Sequence, residues 1–99
     1  MAFGFGRRKK EGTPEETEVF PLLSDVVPRQ HVRVKGQIFQ LKSRPSQGMP
    51  ALEVTVIDDT GSVTVVWSGR RSIGGVGLGR RIIIEGVPMK GPHGLTFTN

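Results

Sequence analysis

The chain has 99 residues, 14 Lys and Arg against 9 Asp and Glu, a net charge of +5 and no cysteine. That length makes one small domain. The missing cysteines exclude a disulfide framework or a thiolate metal site, and the charge favours polyanionic partners. No apolar run reaches the roughly 18 residues of a membrane span. Nor does an apolar stretch follow the charged start "MAFGFGRRKK" as it would in a signal peptide. A cytoplasmic protein with no membrane partner is the expectation.

Residues 1–18 read as a disordered charged tail, because "GRRKKEGTPEETE" has too few apolar side chains to offset the entropy of ordering. Residues 19–28, "VFPLLSDVVP", form an apolar lead-in in which Ser24 can cap one helical turn before Pro28 stops it. From Arg29 to Asn99 the apolar period is two, as in half-buried strands. "HVRVKGQIFQLKS" is the first, with Gly36 at the place where it can bend or bulge. "SRPSQGMP" reads as a loop, "ALEVTVID" as a second strand, "DDTG" as a turn and "SVTVVWS" as a third strand. Five glycines make "GRRSIGGVGLG" a connection rather than a helix. "RRIIIEGVPMK" and "LTFTN", joined by "GPHG", complete five strands. Five strands in about 70 residues predict a small β-barrel.

Three motifs in this order, "VKGQI", "DDTGSVTV" and "GRRIIIEG", resemble OB-fold domains. They are similar to the wedge domain of RecG-type helicases and to the anticodon-binding group, and closest to small stand-alone OB-fold proteins common in actinobacteria. The resemblance covers residues 29–99. It implies an all-β, five-stranded Greek-key barrel behind the tail. Such domains often carry a helix after the third strand. With the glycine-rich connection in its place, one end of the barrel is expected to be covered by the lead-in alone.

The resemblance further implies binding of single-stranded or structured nucleic acid across the outer face of the second and third strands. Carried onto this sequence, the first loop offers Lys42 and Arg44, and the last hairpin offers Lys90 and His93. Arg33 and Lys35 stand in the outward phase of the first strand, and Arg70 and Arg71 leave the third. Residues after 25 hold ten Lys and Arg against four acidic side chains, and the Lys and Arg named here would neutralise phosphates.

The outward positions Glu53, Thr55, Ile57, Ser62, Thr64 and Val66 include no aromatic on which a base could stack. Trp67 shares the phase of Val63 and Val65 and so belongs to the core, as Phe97 does with Leu95. Phe39 follows the bend, where alternation no longer fixes its phase; with its ring outward it joins the site. A protein-docking module is the alternative, favoured by Ile57 and Val66 on the outer face.

"GGVGLG" matches no phosphate-loop pattern. Asp58 and Asp59 are turn chemistry, and His31 and His93 lack partners at ligand spacing. No nucleophile–base set can be assembled, so a protein without catalytic activity, metal or cofactor is expected.

Overall fold

The computed structural model describes residues 1–5, 18–46, 48–70 and 72–98. Seven strands form one sheet: β1 (Ala2–Phe5), β2 (Val32–Ser46), β3 (Met49–Ile57), β4 (Ser62–Ser68), β5 (Arg81–Gly86), β6 (Met89–Gly91) and β7 (Gly94–Thr98). The spatial order is β1-β5-β2-β3-β4-β7-β6. All pairings are antiparallel except β4 with β7. Only Val87 and Pro88 separate β5 from β6, so the chain itself draws the two sides of the sheet together. Inward residues of β2, β3, β4, β5 and β7 accordingly share one buried cluster. The fold is the all-β, OB-like architecture expected.

β2 is long because it serves two partners. Its first half, Val32 to Gln37, pairs with β5, and its second half, Gln37 to Ser46, pairs with β3. The strand changes partners at Gly36. A Cβ there would lie 2.5 Å from Val56 Cγ1 and 2.7 Å from the Ile57 carbonyl oxygen, closer than atoms can approach. The bulge expected near Gly36 falls three residues later, between Ile38 and Gln40. Gly36 instead provides the close approach, one of the two reasons for glycine inside a strand.

The lead-in contributes a 3-10 turn, Leu23–Asp25, whose Leu23 is buried, as is Val26 just beyond. Leu22, not Ser24, occupies the cap position, and its side chain makes no capping bond. The cap comes from the β3–β4 turn. The Leu23 N–H donates to Asp58 Oδ2 at 2.8 Å, and the Ser24 N–H to Thr60 Oγ1 at 3.1 Å. Asp58 Oδ1 meanwhile accepts from the Thr60 N–H, the Thr60 hydroxyl and the Gly61 N–H at 2.7, 2.6 and 3.0 Å. One carboxylate thus closes its own turn and anchors a segment 35 residues away.

Other sequence expectations change for identifiable reasons. The tail assigned to residues 1–18 begins with a strand: Ala2–Phe5 pairs along β5, and Phe3 meets Trp67 edge-on with ring centroids 5.0 Å apart. Residues 6–17 of that tail lie outside the described residues. "SRPSQGMP" is mostly strand, since β2 runs to Ser46 and β3 starts at Met49 around a turn with Gly48 at φ +78°. The fourth strand is broken at Pro88, which has no N–H for a ladder and whose carbonyl accepts the Arg29 N–H at 2.8 Å. These changes turn five strands into seven. The lead-in is not alone in covering the core either, because Ile73 and Val76 of the glycine-rich connection also pack on it.

Two stability tests follow from these contacts. Gly36→Ala should destabilise by about 1–3 kcal/mol, lowering Tm by roughly 4–8 °C per kcal/mol for a domain of this size; an unchanged denaturation midpoint would show that β2 and β3 can part there. For Asp58, burial works to raise the pKa. The hydrogen bonds from Thr60, Leu23 and Gly61 outweigh it and hold the carboxyl below the usual aspartate value. Its stabilisation is therefore fully present above an unfolded pKa of about 3.9 and is lost as pH falls through the lower folded value. The Tm gap between the wild type and Asp58→Asn should stay constant down to about pH 5 and close below it. A gap that widens on acidification would contradict this geometry.

Candidate nucleic-acid interface

Strand register alone assembles the outer face. A central row crosses five strands as Gln40, Thr55, Thr64, Thr96 and Met89. The next row is Lys42, Glu53, Val66 and Thr98. Arg44 stands one position further along β2, with its Nη1 3.5 Å from Glu53 Oε2. Lys42 and Arg44 therefore lie on the strands of the β2–β3 hairpin rather than in a loop. Both are exposed, and both sit beside the one carboxylate of this face named above. Lys90 on β6 and His93 in the β6–β7 turn are exposed across the sheet. Lys90 pairs with Leu95, an inward position of β7, and so points away from the face that carries Met89 and Thr96. The cations of this face are those of the β2–β3 hairpin, and its centre is neutral and lined by hydroxyls.

The first half of β2 has a different role. Arg33 Nε lies 3.0 and 2.9 Å from the two carboxylate oxygens of Glu18, and its Nη1 lies 3.4 Å from Glu85 Oε1. His31 Nε2 is 3.0 Å from Glu85 Oε2. The hydrogen bond to Glu18, opposed by some desolvation, leads the effects that push the Arg33 pKa up. Its charge is already matched inside the protein. Lys35 Nζ lies 5.2 Å from the centre of the Phe20 ring, a cation–π contact on an exposed side chain. Both residues hold the segment before β2 against the barrel, and Lys35 also borders Ile57, the last outward position of β3.

Phe39 is the bulge residue, and it is 65% exposed. Its ring is outward, the alternative that brings it into the candidate site. Trp67 and Phe97 are buried. Arg70 lines an open depression of about 380 Å³ with Met1, Phe3, Trp67 and Ile73. Arg71 lies outside the described residues. The glycine-rich connection is tied to β2: the Gly79 N–H donates to the Ile38 carbonyl and the Ile38 N–H to the Arg80 carbonyl, each at 2.8 Å. It positions Leu78, 67% exposed, in a segment bonded next to Phe39. Among the described residues no three His, Cys, Asp or Glu side chains are grouped to hold a metal, and no helix is long and apolar enough to cross a membrane.

Sequence reasoning found Thr55 and Thr64 but not Thr96. The register of Thr96 depends on the parallel β4–β7 pairing, for which the alternation within "LTFTN" carries no signal. Leu78 was missed for a similar reason, as its exposure follows from how a turn packs.

No protein-family model and no curated protein matches the sequence. In fold the chain is similar to a solved structure of RecG bound to a three-way DNA junction, with a TM-score of 0.62 at 17% identity over 82% of this chain. It spans 12% of the length of that RecG chain. At this identity the likeness establishes the fold.

Arg33→Ala separates the two kinds of cation. It should lower stability by up to about 1 kcal/mol, the range of partly exposed ion pairs, and leave any salt dependence of ligand binding unchanged. A reduced salt slope would show that Arg33 reaches ligand after all.

Proposed function

We propose that this chain binds nucleic acid, single-stranded or structured, with low sequence specificity. The ligand, DNA or RNA, lies across the outer face of β3 and β4 beside the cationic β2–β3 hairpin. The observation that carries the reading is the fold shared with RecG, whose solved structure is bound to a three-way DNA junction. The net charge of +5 supports it, as does the position of Lys42 and Arg44 on one side of the face. Arg70 adds a cation at the end of β4, and Phe39 an exposed ring beside the first hairpin. The finer likeness, to small OB-fold proteins common in actinobacteria, rests on the three sequence motifs. The role proposed is binding rather than catalysis, in the cytoplasm and without a cofactor. One observation favours a protein partner as a second reading: Phe39 and Leu78 are largely exposed on neighbouring segments, and exposed apolar side chains brought together can mark a docking surface.

Fluorescence anisotropy across a salt series, with labelled single-stranded DNA, single-stranded RNA and duplex, tests the proposal. Binding should weaken linearly in log–log form, with a slope of about 0.7 per phosphate contact on single strands. Lys42→Ala and Arg44→Ala should each flatten that slope. Absence of binding at about 50 mM salt, where such contacts are strong, would eliminate the reading and leave the protein-docking alternative.

A further inference from the structure

The central row of the outer face poses a problem of its own. Thr55, Thr64 and Thr96 stand directly abreast on β3, β4 and β7, and the Thr96 hydroxyl makes one long bond, 3.5 Å to the Gly94 carbonyl. Thr64 is only 9% exposed, yet among the described residues its hydroxyl has no hydrogen-bond partner. Burying a hydroxyl unpaired is costly, and an unsatisfied buried polar group in a folded protein calls for an explanation such as a functional role or a missing partner. The apolar alternative was close at hand, since valines flank Thr64 on both sides and valine suits strands better. The row also carries no aromatic side chain, so it offers no surface for base stacking.

We infer that Thr55, Thr64 and Thr96 form a hydroxyl track for the sugar–phosphate backbone of a single strand, with Thr64 as its central contact. The inference rests on the nucleic-acid reading above and specifies which part of the ligand meets the centre of the face. At a strand spacing of about 4.8 Å the three hydroxyls span roughly 10 Å, which accommodates two or three nucleotides at a rise of about 3.4 Å. Hydroxyls donate well to phosphate oxygens and carry no sequence information in doing so. The strand then runs across the β-strands, from Lys42 on β2 toward the β6–β7 hairpin. Charge at the β2 end supplies the salt-dependent attraction, and neutral donors hold the backbone beyond it. Binding is therefore indifferent to base identity and to the presence of bases.

The test compares a labelled oligothymidine with a chain of abasic sites of equal length. The two should bind within about threefold of each other, because the contacts are to backbone. Thr64→Val should weaken both by about 2- to 10-fold, the effect of one lost hydrogen bond, with the salt slope unchanged because no counterion is involved. The same variant should keep or raise Tm, since it removes an unsatisfied group. Thr64→Ser, which keeps the hydroxyl, should retain wild-type affinity. If the oligothymidine binds and the abasic chain does not, bases are being read and the track is overturned. Wild-type affinity in Thr64→Val, or a drop in its Tm, overturns it as well. If the wild type binds neither probe, the nucleic-acid reading itself fails.

Discussion

The barrel depends on a single strand pairing with two partners, and that requires one backbone position without a side chain. At Gly36 and Gln37, β2 passes from the ladder of β5 to that of β3, and Gly36 sits against Val56 and the Ile57 carbonyl with no room for a Cβ. The bulge at Phe39 follows at once and adds local twist. Together the two turn an extended strand of 15 residues into the bent spine on which β3 and β5 hang. The outer face of β3 and β4 takes its orientation from that bend.

Closure of the core depends on chain segments that lack regular repeats. Asp58 satisfies its own turn and also the first amide of a 3-10 turn far away in sequence, so the lead-in is held where Leu23 and Val26 complete the core. On the outside of β2, Arg33 links Glu18 and Glu85 by ion pairs, with His31 Nε2 3.0 Å from Glu85, and these contacts fasten the same segment. β1 covers the remaining edge of β5, with Phe3 seated on Trp67. These contacts consume charge and aromatic surface that composition alone would count as available to a ligand. A basic domain is thus less basic at any one place than its net charge implies.

The outer face is accordingly mixed. Cations stand on the β2–β3 hairpin, one carboxylate tempers them, and threonines fill the centre. Such a face suits a flexible polyanion that is held along its backbone better than a rigid ligand gripped at one point. Phe39, at the margin of this face, and Leu78 supply apolar surface of another kind. Their closeness comes from the hydrogen bonds between the glycine-rich connection and β2.

Much of the architecture was legible because period-two alternation reports a half-buried strand locally, residue by residue. β3, β4 and β5, the core positions of Trp67 and Phe97, and the DDTG turn all declare themselves within windows of a few residues. β1 does not: "AFGF" is short, contains glycine and precedes a charged run, so its pairing depends on an edge that β5 offers only once folded. The pairing of Arg33 with Glu18 and Glu85, the capping role of Asp58 and the alignment of Thr55, Thr64 and Thr96 are likewise tertiary. Each joins residues from separate strands or segments, and register between strands is set by packing and twist rather than by any property of one strand. Sequence by itself determined which residues point in and which point out. Only the folded sheet decided which outward residues stand side by side, because neighbours across strands are distant along the chain.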